Sequence, residues 1–294
     1  MANTIRYETA YPVKLQERLD HPTNWKEMLR VDFTSNRVLE NPFVGTYPSV
    51  QSHSRGSAYT FQSWTESTEV RTINTGRVLP VFIDRVDLNQ SHYTTIMQIA
   101  EDQGQLMLES VENNWLSLHT EWTNFGTSDI GAGGSSTTQI SVSSTNIDDI
   151  VRGIKRVIYT ANGINLAQKN GIGILWTPTE FEILEAFIQA NGFTTADAAL
   201  KDGAVIGLNF MGVDHMVTND TAANHLFAGV KKTYSIGIDN STWGQVVVIQ
   251  DPSGAADGGS ANNLSGVGIV VRGEWGFGFW NNVDPVNFDI NVST

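Results

Sequence analysis

Six histidines are the side chains of this chain best placed to change charge near neutral pH, so their spacing is where chemistry would first show. They stand at His21, His53, His92, His119, His215 and His225, and none falls into HExxH or a comparable spacing that seats two imidazoles on one metal. His119-Thr120-Glu121 echoes the HxE of a zinc deaminase, but that site also needs cysteines and the chain has none. The lack of cysteine also excludes disulfides, thiolate metal centres and cysteine nucleophiles. The histidines therefore read as packed or surface residues, with no metal expected.

Other chemical motifs fail on their spacing. Gly171-Ile172-Gly173 lacks the third glycine of a dinucleotide fingerprint. The glycine-rich run 131–136 is followed by no Lys-Ser or Lys-Thr that would complete a phosphate loop. No serine sits in a GxSxG elbow. Asp84 with Asp87, and Asp148 with Asp149, are neighbours in sequence only, which is not a catalytic geometry. Residues 251–259 resemble a calcium loop in composition alone, and Lys231-Lys232 is too short for a phosphate-binding patch. The expectation is a chain that is not an enzyme and takes no cofactor.

Charge is more informative than motifs. The formal net charge is −13, with 31 acids against 18 bases in 294 residues. Nine of those acids lie between residues 86 and 151, a window without one Lys or Arg. Such a surface repels nucleic-acid phosphates; the alternative is an ordinary solvated helix face. The first residues lack the basic head and apolar core of a signal peptide, and no apolar run approaches the roughly 20 residues of a membrane span. The reading is a soluble chain made in the cytoplasm.

The elements that would position these residues follow from periodicity. Residues 1–50 show no sustained pattern, only short helical hints over 12–19 and 24–30, and carry mixed charge, so they read as an extended arm with little core of its own. Residues 57–88 read as a long hairpin, with strands at 57–65 and 77–88 flanking a polar excursion over 66–76. An isolated hairpin is marginal in water, so it needs a partner surface. Ile96, Ala100, Gln103, Met107, Val111, Trp115, Leu118 and Trp122 then recur at three- and four-residue steps. They predict a helix of about thirty residues, roughly 45 Å long, with Glu101, Asp102, Glu109 and Glu112 on its acidic side. Residues 128–144 read as a flexible connection.

From residue 147 helices alternate with strands. Ile147, Ile150, Val151, Ile154 and Ile158 mark one helix, and residues 172–176 a buried strand. Thr177, Pro178 and Glu180 predict a capping box opening the next helix, and Asn191-Gly192 its stop. Strands are expected over 204–217 and 226–238, then 245–250, 266–272 and 274–280. A helical turn is expected over 195–200.

This order of parts resembles the major capsid proteins of tailed bacteriophages, the Hong Kong 97-type fold. The resemblance rests on Arg77-Val78-Leu79-Pro80-Val81-Phe82-Ile83-Asp84-Arg85-Val86-Asp87-Leu88 before the long helix, and on Leu175-Trp176-Thr177-Pro178-Thr179-Glu180-Phe181. Residues 205–217, Arg272-Gly273-Glu274-Trp275-Gly276-Phe277 and Asp284-Pro285-Val286-Asn287-Phe288 add to it. It implies an α+β chain with an N-terminal arm at 1–50 and an E-loop at 51–89. A peripheral domain with the spine helix would follow at 90–146, an axial α/β domain at 147–244, and a return to the peripheral domain at 245–294.

The function so implied is self-assembly, as pentamers and hexamers, into an icosahedral shell around double-stranded DNA, without sequence-specific binding. Scaffolding, portal and decoration proteins are possible partners, and the location would be the virion after assembly in the host cytoplasm. Inter-subunit contacts are expected at Trp64, Glu66, Glu69, Arg71, Arg77 and Arg85, with Glu101, Asp102, Glu109 and Glu112 facing the lumen. Some members of the family weld their shells through an E-loop lysine; no lysine occurs here between Lys26 and Lys155. Two alternatives stand beside this reading: an encapsulin-like nanocompartment shell, and a β-rich phage tail or adhesion protein.

Overall fold

The computed structural model describes residues 2–46, 51–52, 55–56, 61–63, 65–84, 93–160, 164–191, 206–250, 253–254, 262–263, 265–279 and 286–293. Among them the α-helices are α1 (Ala2–Leu19), α2 (Asn24–Met28), α3 (Tyr93–Leu116), α4 (Ile147–Thr160), α5 (Ile164–Asn170) and α6 (Pro178–Ala190). The first strands are β1 (Arg30–Thr34), β2 (Val38–Thr46), β3 (Thr65–Thr72), β4 (Thr75–Asp84), β5 (Thr123–Phe125), β6 (Ile140–Ser141) and β7 (Ile172–Trp176). They are followed by β8 (Ile206–Phe210), β9 (Val213–Val217), β10 (His225–Val230), β11 (Tyr234–Asp239) and β12 (Gln245–Gln250). The last are the short pair β13 (Ser253–Gly254) and β14 (Asn262–Asn263), then β15 (Gly266–Phe279) and β16 (Asn287–Ser293).

Two sheets divide the chain. The first runs β1-β11-β15-β12, with β4 also on β15. The long strand β15 is its axis: β11 and β12 share one edge, and β4 lies antiparallel along the other from Gly266↔Asp84 to Trp275↔Thr75. The second sheet runs β5-β16-β10-β7-β9-β8, with β6 also on β16. Its inner strand β7 is buried at all five residues, as its unbroken apolar run predicts.

Two cores form, and the first also takes in Leu175, Met216 and Phe227 from one face of the second sheet. Helices α1, α2 and α3 pack on the first sheet around Trp25, Trp115, Trp275 and Met107. Helices α4, α5 and α6 pack with the second around Ile150, Ile154, Trp176, Leu184 and Phe288.

The long helix is shorter than its periodicity predicts. It spans 24 residues, about 36 Å at 1.5 Å per residue, and gives way at Leu116 to one 3-10 turn, His119–Glu121. The apolar stripe is as read: Ile96, Ala100, Gln103, Met107, Val111 and Trp115 are all buried. Gln103 belongs there because both ends of its amide are used. Its oxygen accepts from the Tyr11 hydroxyl, and its nitrogen donates to the Leu79 carbonyl at 2.9 Å.

Other expectations change. The opening residues are not an extended arm without a core. Tyr11, Leu15 and Leu19, four residues apart, bury one face of α1 against α3, and β1 adds a parallel edge strand to β11. Most of the first expected hairpin strand, 57–65, lies outside the described residues, and 61–63 are not strand. The excursion itself supplies β3, which pairs with β2, while the return strand, β4, joins the first sheet. The polar excursion 66–76 is thus mostly strand.

The glycine-rich connection is a closed turn rather than a loose tether. Thr127 N donates to Thr138 O at 3.1 Å, Gly126 N donates to the Asp129 carboxylate at 2.9 Å, and Ile140 beyond it is buried in β6. At α6 Pro178 occupies the first turn as expected, but Thr177 makes no side-chain cap and Glu180 is buried. The capping box is absent.

Sheet membership also departs from the expected division at residue 244. β11 lies in the first sheet although β10, only a tight turn away, lies in the second. β16 lies in the second sheet, whereas β12 and β15 are in the first. The strands expected over 266–272 and 274–280 are one strand, β15. The expected turn at 195–200 lies outside the described residues.

Candidate assembly surface

The ribbon formed by β2 and β3 is a two-stranded sheet of its own. Its register runs from Val38↔Thr72 to Val44↔Glu66, with a bulge between Val44 and Thr46. Eight residues at about 3.4 Å each give it a reach of roughly 27 Å. Its root is anchored. Arg37 sits in the left-handed region (φ 54°) at the turn from β1 and donates to Glu274 at 2.6 Å. Leu39 lies on bare backbone at Gly237, where any Cβ would overlap it, and Ile73 is buried beside that contact.

Toward its far end the ribbon shows no such packing among the described residues. Thr65, Glu66, Ser67 and Thr68 are all exposed, and Val70 is 56% exposed. Two-stranded ribbons with solvent on both faces are marginal in water. Charged and hydroxyl side chains, rather than a continuous apolar face, keep this one from pairing indiscriminately.

The expected contact residues divide. Glu66 is exposed near the far end and Glu69 is half-buried, paired in register with Asn41. Arg71 crosses the backbone of Gly278, a glycine whose Cβ would collide with the guanidinium. That arginine is therefore packed on its own chain. Arg77 is on β4, not on the ribbon, and borders a polar groove with Leu106, Glu109, Asn113 and Asp220. Trp64 and Arg85 lie outside the described residues.

The acidic side of α3 is split as well. Asp102 and Glu109 are exposed, but Glu101 accepts an ion pair from Lys14 of α1 at 2.9 Å. Glu112 is 8% exposed and cannot face a lumen. Burial pushes its carboxyl above the usual range, opposed by hydrogen bonds from Thr218 and Asn24, the latter at 3.3 Å. The stripe rule failed at Glu112 because α2 and the chain after β9 close over that side of the helix. Sequence gave no sign of another buried charge, Lys231, which pairs with Glu27 at 2.6 Å and Asp214 at 2.7 Å. Among the described residues no helix is long and apolar enough to cross a membrane.

No family model and no curated protein matches the sequence. Solved structures do. The capsid of cyanophage P-SCSP1u aligns over 93% of this chain and 89% of its own, at 14% identity and a TM-score of 0.56. A virus-like particle from Pyrococcus furiosus aligns over 96% and 98%, at 14% identity and 0.54. The capsid of Ralstonia phage GP4 aligns over 90% and 86%, at 9% identity and 0.52. At such identities it is the path of the backbone that is shared, and this chain has, over nearly its whole length, the α+β fold of phage capsid subunits.

Proposed function

We propose that this chain is a shell-forming subunit that assembles as pentamers and hexamers into an icosahedral capsid around double-stranded DNA. The observation that carries the proposal is the β2–β3 ribbon, anchored at its root and exposed at its far end. A neighbouring copy would supply the surface that the far end lacks. Contacts repeated by symmetry reinforce one another, because each added subunit engages several neighbours at once. Asp102 and Glu109 would face the interior and keep packed DNA from adhering to the wall. The virion would be its location, after assembly in the host cytoplasm, and scaffolding, portal and decoration proteins its partners. Neither enzyme chemistry nor a membrane has a part in this reading.

A second reading, a nanocompartment shell of the encapsulin type, is favoured by one observation: the Pyrococcus furiosus particle aligns over 98% of its own chain. The contents decide between them. Negative-stain images of the expressed chain should show closed shells, and shells from the native source should hold nuclease-protected double-stranded DNA. Shells filled with protein alone would favour the second reading. A species of monomer mass in every condition would overturn both.

A further inference from the structure

Two histidines far apart in sequence meet over one carboxylate where the two cores adjoin. His225 opens β10, Asp289 lies mid-strand in β16, and His119 begins the 3-10 turn after α3. Antiparallel pairing sets His225 opposite Asn291 and Phe227 opposite Asp289, which puts His225 and Asp289 on one face of the sheet. His225 Nδ1 lies 2.8 and 2.9 Å from the two Asp289 oxygens. His119 Nδ1 lies 3.5 Å from Oδ2 of the same carboxylate. The two imidazoles stack, with centroids 4.0 Å apart and planes 29° from parallel.

Burial makes the arrangement more than a surface ion pair. The Asp289 side chain is 4% exposed, while His119 and His225 keep 21% and 26%, so the carboxylate lies deep and the rings form the mouth. His119 Nδ1 is buried and has no hydrogen-bond partner. Such an orphan costs about 1–3 kcal/mol, and something should repay it.

We infer that His119, His225 and Asp289 form a binding site for a divalent first-row transition cation, zinc being the ion their chemistry suits best. One candidate donor atom from each residue lies within 4.8 Å of the others. Bonds of about 2.1 Å in tetrahedral geometry place donor atoms roughly 3.4 Å apart. The His119–Asp289 separation already matches that distance. His225 must exchange its hydrogen bond for a metal bond and recede by about half an ångström, and the two stacked rings must turn so that both nitrogen lone pairs point at one ion. Neutral imidazoles and a carboxylate are the donors zinc favours, and three protein ligands leave a fourth position for water. The bound ion would tie the end of α3, on the first core, to two strands of the second sheet. Its role would be to add to the packing of Trp115 and Trp122 on Phe227 that already joins the two layers.

The test uses the full-length chain, treated with chelator and titrated with zinc chloride alone by calorimetry. One equivalent per chain is expected, with a rise in thermal midpoint. His119→Gln and His225→Gln should each weaken binding by at least the ~10–100-fold that loss of an outer partner costs, while His21→Gln, at an exposed position, should not. Equal binding by the wild type and both cluster variants, or none by the wild type, overturns the site. Cobalt(II) absorption of the wild type gives a check independent of variant folding: strong tetrahedral bands are expected, and their absence at one equivalent also overturns the assignment.

Discussion

His215 has 0% exposure, and its surroundings dictate its protonation state. The Trp176 indole N–H donates to its Nδ1 at 2.9 Å, and Nε2 lies 3.2 Å from the Phe210 carbonyl, which can only accept. Nε2 therefore carries the single proton, and a second proton on Nδ1 would face the Trp176 donor. Burial lowers the pKa to about 4, against opposing contributions from the Phe210 carbonyl and Asp214. In the unfolded chain the group titrates near 6.5. The folded value is the lower one, so the stability it contributes is complete above about pH 6.5 and is lost as pH falls toward 4. Linkage puts that loss at about 3 kcal/mol. Denaturant midpoints of the unassembled chain, measured from pH 7 to pH 4, should fall accordingly. His215→Gln can keep both hydrogen bonds without titrating, so its slope through the window should be shallower. An identical slope in the two proteins would assign the effect to another group.

Helix pairing in the first core depends on a position that propensity alone judges unfavourable. Gly104 sits inside α3, and a Cβ there would lie 2.9 Å from both Cβ and Cγ of Arg18 on α1. Those are stem atoms fixed to the α1 backbone, so the two helices would have to separate. Alanine gains about 1 kcal/mol of helix propensity, whereas overpacking of this kind costs about 1–3 kcal/mol. Gly104→Ala should therefore lower stability by about 1 kcal/mol net, a fall of a few degrees in thermal midpoint for a chain of this size; a higher midpoint would show that α1 adjusts freely. The example marks the limit of reading elements from sequence. α3 was legible because six of its buried positions repeat at the helical period. α1 was legible only as a short helical hint over 12–19, since Pro12 interrupts it; among its described side chains Tyr11, Leu15 and Leu19 form the buried stripe. β15 read as two strands because Arg272-Gly273-Glu274 breaks its apolar run. In the fold Gly273 simply leaves room for Met107 and Trp243, 3.1 and 3.2 Å from where a Cβ would stand.

At the scale of the whole molecule, the order of elements was legible but the partners of strands were not. Alternation along a segment reveals a strand without saying which strand lies beside it. β10 and β11 separate into different sheets, β3 pairs backward with β2, and His119 meets His225 only after the fold is complete. The ribbon is where this limit bears on assembly. On its β3 strand the far end is polar and exposed, so substitutions at Glu66, Ser67 and Thr68 should leave the subunit nearly unchanged, within about 0.5 kcal/mol. A contact between copies would respond differently. One exposed ion pair is worth ~0.2–1 kcal/mol, but the loss recurs at every equivalent interface of a shell. Glu66→Lys should thus reduce the yield of closed shells by tenfold or more, with the thermal midpoint of the unassembled chain held. Joint replacement of Arg71, Arg77 and Arg85 by Ala should do the same, with a small cost to the subunit from the lost packing of Arg71 over Gly278. Sedimentation of assembly reactions at matched concentration provides the measurement. Normal shells from both proteins would remove the ribbon's far end and these three arginines from the interface.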